Sequence, residues 1–138
     1  MASSTVPFKL ITPTSVAFEG DAELVIAVTT EGEEGFLPKH APFLGALKPG
    51  ILRANTVVDG AVKRLEMATG EGFVQALPDG VTILVERALR FEDVDVAASR
   101  TELADAAARQ KDAPDAAAHA REQVAIDFAT AKLRLTGH

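Results

Sequence analysis

Apolar and polar side chains alternate in short runs through the first ninety residues, which is typical of β-strands. Residues 24–28 are rich in β-branched side chains and indicate a buried strand. Asp59-Gly60 and residues 77–80 each separate two apolar runs with turn-forming residues, so we expect a hairpin at each position. In residues 81–85 the odd positions are expected on one face and the even positions on the other. Roughly eight to ten short strands fit this region, which favours a sandwich or barrel.

The spacing of small and apolar residues becomes helical after the acidic segment 91–93, which suits a helix N-terminus. The first predicted stripe consists of Val94, Ala97, Thr101, Ala104 and Ala108. The second consists of Ala117, Ala120, Val124, Phe128, Ala131 and Leu135. Residues 111–115 interrupt the pattern with Pro114, so we expect two antiparallel helices joined by a short turn. Alanine contacts bury little area, so this hairpin is expected to be weakly held and detachable.

Glycine and proline divide the chain at the same place. All but one of the ten glycines and all but one of the seven prolines lie before residue 81, whereas alanine is concentrated after residue 90. The predicted fold is therefore β followed by α. A flattened β-sandwich domain is expected at residues 1–90, and an antiparallel two-helix hairpin at residues 91–138.

Composition excludes several classes of protein. The 138 residues include no Cys, which excludes a disulfide scaffold, a thiol nucleophile and a thiolate metal site. The net charge of −6 argues against a nucleic-acid partner, because phosphate binding needs basic residues. No apolar run has the length of a membrane span, so direct membrane insertion is not expected. Residues 1–9 lack the apolar core of a signal peptide.

The candidate chemistry is sparse. His40 lies in a stiff, proline-rich segment, and no other residues are spaced with it as metal ligands, so we interpret it as a loop-structuring or interface residue. Glu31, Glu33 and Glu34 form an acidic cluster, which is either a solvated loop or an interaction loop. The glycines of this loop do not make a phosphate-binding motif. Gly70-Glu71-Gly72 is interpreted as a tight turn or bulge.

Residues 31–50 read E-G-E-x-G-x-x-P-x-H-A-P-x-L-x-x-L-K-P-G. This segment resembles the signature of the epsilon subunits of F-type rotary ATP synthases, which are called delta in mitochondria. Residues 72–84 resemble the last hairpin of that family, and residues 88–95 its junction into the helices. The resemblance implies a β-sandwich followed by a helical hairpin, and a non-catalytic subunit of the central stalk. Such a subunit contacts the gamma subunit and the c-ring, and couples proton flow to ATP synthesis from ADP and phosphate.

The resemblance also implies roles for particular residues. The expected rotor or c-ring interface consists of Glu31, Glu33, Glu34, Lys39 and His40. In many bacterial members the hairpin can block ATP hydrolysis, so the resemblance makes it a candidate regulatory element. Its basic residues are either solvated helix faces or contacts to the alpha and beta catalytic subunits: Arg109, Lys111, Arg121, Lys132 and Arg134. The implied location is peripheral, on the cytoplasmic face of the bacterial inner (plasma) membrane.

Some family members bind ATP through I/L-D-x-x-R-A at the start of the first helix. Here Asp95 fits that motif, but Ala98 stands where it has Arg. Arg100 comes two positions later, about 200° further around the helix. We therefore expect no cofactor and no tight ATP binding.

Two alternatives belong to other classes of protein. One is a free-standing β-sandwich that binds a ligand, for which an exposed aromatic pocket would be expected. The other is a hydrolase that uses Glu31, Glu33 and His40, which would need to converge on a cleft.

Overall fold

The structure is a computed structural model that describes residues 5–138, so the first four residues of the 1–9 segment and of the predicted 1–90 domain lie outside the described residues. Within that range nine strands precede two helices. The strands are β1 (Val6–Thr12), β2 (Ser15–Thr29), β3 (Gly32–Phe36), β4 (Phe43–Leu47), β5 (Gly50–Val58), β6 (Ala61–Thr69), β7 (Gly72–Leu77), β8 (Gly80–Val85) and β9 (Ala88–Leu89). The helices are α1 (Val96–Lys111) and α2 (Ala116–Leu135). The predicted fold class, a β-sandwich followed by a two-helix hairpin, is confirmed.

Strand β2 organises the sheet. It has 15 residues and pairs in turn with β1, β5 and β3, and at Thr29 with β4. The strand order is β1-β8-β7-β4-β2-β5-β6-β9, with β3 on β2. Because β1 pairs antiparallel with β2 and parallel with β8, the sheet folds back on itself. The two layers therefore enclose one core.

That core is built by alternation along the strands, most regularly in β7 and β8. Val81, Ile83 and Val85 are buried, whereas Thr82 and Leu84 point away from the core, as the sequence predicted. Val74 and Ala76 alternate in the same way on β7. The largest fully buried side chains are Phe8, Leu10, Leu52 and Ile83. Burial of this apolar surface is the main stabilising contribution to the sandwich.

Both predicted hairpins are present. Asp59 and Gly60 have φ angles of 52° and 79° and connect β5 to β6, whose register pairs Val58 with Ala61. Two consecutive positive φ angles are what a tight hairpin turn requires, and Asp and Gly accept them at low cost. The second hairpin joins β7 to β8 with Leu77 paired to Gly80.

The helices begin slightly later than the sequence predicted. Residues Phe91–Asp93 form a separate 3₁₀ turn, and the Asp95 carboxylate caps α1 by accepting the Ala98 N–H at 3.0 Å. Asp115 caps α2 in the same way through Ala118 at 2.8 Å. A side-chain acceptor at this position stabilises a helix because the first N–H groups have no partner inside it. Within residues 5–138, neither helix combines the length and hydropathy needed to cross a bilayer.

The predicted stripe of α1 is wrong by about half a turn. Ala97, Thr101, Ala104 and Ala108 are exposed, and the helix instead buries Ser99 and Ala106. Alanine occurs on every side of this helix, so small-residue spacing could not identify the packed face. The stripe of α2 is correct from Val124 onward, where Phe128 marks it, whereas Ala117 and Ala120 are exposed.

Candidate functional site: the exposed faces of the sandwich and the docked hairpin

The acidic turn between β2 and β3 is shaped by Thr29. Its Oγ1 donates to the Gly32 carbonyl at 2.7 Å and accepts the Glu31 N–H at 3.1 Å. Gly32 has a φ of 121°, which disfavours any other residue. Glu31 is exposed at the tip of the turn.

The next two carboxylates lie on opposite faces of β3. Glu33 accepts a 2.7 Å hydrogen bond from Arg53 of β5, which reaches across β2. Glu34 shares the face of the buried Phe36 but is exposed itself. Glu33 and Arg53 also line a groove of about 580 Å³ between the sheet and α2. The acidic cluster therefore divides between the hairpin side of the sheet and the other face of β3.

His40 stabilises the conformation of the loop that follows β3. Its backbone N–H donates to the Leu37 carbonyl at 3.2 Å, and its Nδ1 donates to the Ala41 carbonyl at 2.9 Å. The ring packs edge-on against Phe36, with the centroids 5.5 Å apart. Lys39 has a φ of 64°, and its N–H donates to the Pro78 carbonyl of the β7–β8 turn. His40 Nε2 is buried without a hydrogen-bond partner among the described residues.

These residues do not converge on a cleft. Glu31 precedes β3 and Lys39 and His40 follow it, so about 13 Å of strand separates the two groups. No group of three or more His, Asp or Glu side chains in residues 5–138 is arranged to hold a metal ion. Glu31, Glu33 and His40 therefore do not come together as a hydrolytic site would require. The exposed carboxylates of Glu31, Glu33 and Glu34 are here called the acidic edge.

A second exposed surface is apolar, and the sequence analysis did not identify it. The register aligns Ala46 of β4, Phe73 of β7, Leu84 of β8 and Ile11 of β1 in one row across four strands. This row, the outer apolar face, points away from the core, and Phe73 is 60% exposed. Leu44, 76% exposed, lies one row away on the same face. Exposed apolar surface of this extent is typical of protein–protein contacts.

The alternation in residues 81–85 placed Leu84 on the face opposite Val81, Ile83 and Val85, but no face was predicted for Phe73. What local pattern could not supply was the strand order, which brings β4 and β1 to either side of β7 and β8. A surface assembled from four distant segments becomes visible only in the folded chain.

The hairpin rests on the opposite layer of the sandwich through few residues. Phe128 and Ala131 of α2 pack on Ala68 of β6, with Ile51, Leu89 and Leu135 around them. Among residues 5–138, no hydrogen bond or ion pair joins the strands to the helices. The contact is therefore mainly apolar and small. That the hairpin is weakly held and detachable stays a prediction.

The five basic residues expected to make regulatory contacts are spread along this hairpin. Arg109 pairs with Glu122 at 3.0 Å, and Lys132 pairs with Glu102 at 2.7 Å. Lys132 is only 4% exposed. Lys111, Arg121 and Arg134 are exposed at different levels of the hairpin. The five side chains do not form one patch in this conformation.

The start of α1 has no free guanidinium at the position of the ATP-binding motif. Asp95 is occupied as the helix cap, and Ala98 presents only a methyl group. Arg100 Nη2 lies 3.2 Å from Nδ1 of His138 at the end of α2. The absence of tight ATP binding stays a prediction.

Comparison with known proteins agrees with this architecture. Residues 5–91 match the family described as ATP synthase, Delta/Epsilon chain, beta-sandwich domain. The ATP synthase epsilon chain of Chromobacterium violaceum is 33% identical over 131 residues, which cover 95% of this chain and 92% of that protein. The epsilon chain of Syntrophomonas wolfei is 31% identical over 134 residues, covering 97% and 96%.

Two solved structures share the fold at lower identity. One is a chain of the Euglena gracilis mitochondrial ATP synthase, with a TM-score of 0.79, 23% identity, and coverage of 98% of this chain and 82% of that one. The other is a chain from the central stalk and c-ring of the Tetrahymena thermophila mitochondrial ATP synthase, with a TM-score of 0.66, 17% identity and 99% coverage of both. With the family match and the full-length relatives together, the chain belongs to the delta/epsilon chain family of ATP synthase subunits.

Proposed function

We propose that this chain is a non-catalytic subunit of the central stalk of a proton-translocating F-type ATP synthase. The observation that carries this proposal is the match of the whole sandwich, residues 5–91, to the delta/epsilon family. In that role the chain couples rotation of the c-ring, driven by proton flow, to the gamma subunit and so to ATP synthesis. It is an accessory part of a membrane-associated complex. We place it peripherally on the cytoplasmic face of the bacterial plasma membrane, held there by gamma and the c-ring.

The outer apolar face is the surface we assign to gamma. A rotor subunit must stay attached while torque passes through it, and lasting interfaces are more apolar than transient ones. Phe73 and Leu84 supply large apolar side chains at the centre of a four-strand surface. A hollow of about 380 Å³, lined by both and by Ala46, gives that surface a shape into which a partner side chain can fit.

The acidic edge is the surface we assign to the c-ring, with Glu31, Glu33, Glu34, Lys39 and His40 as contact residues. The three carboxylates are exposed, and the turn that carries Glu31 is fixed by Thr29. The polar loops of a c-ring suit such a charged surface better than an apolar one, because rim charges orient partners and set register.

Charge reversal tests this assignment. Glu33→Lys is expected to reduce ATP-driven proton pumping in membrane vesicles, because it places a cation in the acidic edge. The fold should survive, since Glu33 is exposed and its ion pair with Arg53 contributes only about 0–1 kcal/mol.

Arg53→Met is the matched control, because it breaks the same ion pair and leaves the acidic edge intact. Pumping should stay near the wild-type rate in that variant. If Glu33→Lys pumps protons at the wild-type rate, Glu33 is not part of the c-ring interface. If both variants lose pumping equally, the effect comes from the broken ion pair instead.

For the hairpin we propose a regulatory role that is separable from coupling. Among the described residues α1 and α2 make no hydrogen bond to a strand, so the helices can leave without disturbing the sheet. Once released, Arg109, Lys111, Arg121, Lys132 and Arg134 are available to acidic surfaces of the catalytic alpha and beta subunits. Residues 1–90 are, in this proposal, an independent coupling domain.

A further inference from the structure

Lys132 is the one charged residue buried in the part of the chain that the structure describes. Its Nζ donates to Oε1 of Glu102 on α1 at 2.7 Å. Removal of an ammonium group from water is costly unless a carboxylate lies beside it. Glu102 is half exposed, so the carboxylate keeps contact with water while it neutralises the buried amine.

The same ammonium group also contacts the residue that docks the hairpin. Lys132 Nζ lies 4.8 Å from the ring centroid of Phe128, and the Arg87 guanidinium lies 4.8 Å from that centroid too. Arg87 belongs to the link between β8 and β9, and Phe128 packs on Ala68. Cations near an aromatic ring attract it, more strongly where water is excluded. Arg87, Phe128, Lys132 and Glu102 therefore form a chain of contacts, here called the latch, from the sandwich through α2 to α1.

The two helices contribute differently to docking. α2 packs on β5 and β6, whereas α1 packs chiefly on α2. Residues of α1 can therefore influence docking mainly through α2. In the latch, the group of α1 that contacts α2 is the Glu102 carboxylate.

We propose that the Glu102 carboxylate of α1 keeps α2 docked on the sandwich by neutralising Lys132. With the carboxylate in place, Lys132 is paired and Phe128 can stay buried against Ala68. Without the carboxylate, Lys132 is left buried in the docked hairpin without this counter-charge, and lifting α2 brings it into water. The latch operates in the isolated chain, independently of the stalk role.

The missing cysteines allow a direct test. Ala131→Cys places a single thiol in the docking contact, because Ala131 is 3% exposed and packs in the cluster around Ala68. Its rate of reaction with a disulfide reagent such as DTNB, divided by the rate for Ala117→Cys on the exposed start of α2, measures how often the hairpin lifts. Ala68→Cys reports the same event from the sandwich side, which covers the case in which the first reporter does not fold.

Three variants of this reporter chain distinguish the effect of the latch from a general weakening of the contact between α1 and α2. Glu102→Gln should raise the relative labelling rate roughly tenfold or more, because it leaves the buried ammonium without its carboxylate. In a Lys132→Met background the same substitution should change the rate by less than about twofold, since no buried charge then needs a partner. Glu122→Gln is the matched control, because it breaks another α1–α2 ion pair, that with Arg109. It should leave labelling unchanged.

Two results would overturn the latch. One is an equal increase for Glu102→Gln and Glu122→Gln, which would mean that any loosening between the helices lifts α2. The other is a Glu102→Gln effect that persists in the Lys132→Met background, which would mean that Glu102 acts by a route other than Lys132.

Discussion

At position 72 the backbones of β7 and β8 lie so close together that only glycine fits. A Cβ at this position would lie 1.8 Å from the Leu84 carbonyl oxygen, which belongs to the backbone of the paired strand. Gly70, two residues earlier, has its nearest neighbour at 3.6 Å, an ordinary contact. The sequence predicted a tight turn or bulge at Gly70-Glu71-Gly72 but did not distinguish the two glycines. Only the register of β7 on β8 shows which one is required.

Gly72→Ala is therefore expected to destabilise the chain by about 3 kcal/mol, because β7 and β8 must separate to admit the methyl group. Gly70→Ala is the matched control and should stay within about 1 kcal/mol of the native chain. Urea unfolding followed by far-ultraviolet circular dichroism measures both, since the chain has no Trp or Tyr to act as a probe. Similar unfolding midpoints for the two variants would show that the close approach at Gly72 is absent.

Among the secondary-structure elements, the strands were predicted better than the helix faces. Residues 81–85 alternate between two environments, so their apolar period identified the buried side. In α1 alanine lies on all sides, and the only large apolar side chain, Leu103, was not used to choose the face. The Phe128 side chain did fix the face of α2. A pattern locates a buried face when residue sizes differ around the element and fails when they do not.

Two alanines of α1, separated by one residue, test the corrected face. Ala106→Glu is expected to destabilise the hairpin by about 3 kcal/mol, because Ala106 is fully buried and the carboxylate would have no partner. Ala104→Glu should change stability by less than about 0.5 kcal/mol, because that position is exposed. Thermal loss of the helical signal at 222 nm reports both. If Ala104→Glu destabilised the hairpin more than Ala106→Glu, the buried face would be the one predicted from the sequence.

The whole molecule combines a closed sandwich with a hairpin that rests on one of its faces. The change from strands to helices was expected from the distribution of glycine, proline and alanine, because each architecture has its own backbone chemistry. The outer apolar face and the latch were not predictable, since both join residues that are distant along the chain. The acidic edge was predicted as a set of residues, but its division between two faces of β3 depends on the pairing of β3 with β2.

Deletion of residues 91–138 tests this organisation in the assembled complex. Residues 1–90 should fold alone, because the main core cluster draws all its residues from the strands. An ATP synthase reassembled with this fragment should still couple pumping to hydrolysis and should hydrolyse ATP faster than one with the full chain. Circular dichroism of the fragment is the control for folding. Equal ATP hydrolysis rates with the fragment and with the full chain would contradict the regulatory role of the hairpin. They would not affect the proposal that the sandwich couples rotation.

The length of β2 has a mechanical consequence for a subunit that transmits torque. The turn that carries Glu31 is the direct continuation of this strand, which is also bonded to β1, β3, β4 and β5. A pull on that turn acts along the strand axis, perpendicular to the hydrogen bonds of its antiparallel neighbours. Those bonds are then loaded together in shear, instead of being peeled apart one by one. The sandwich should thus yield little to force at its acidic edge.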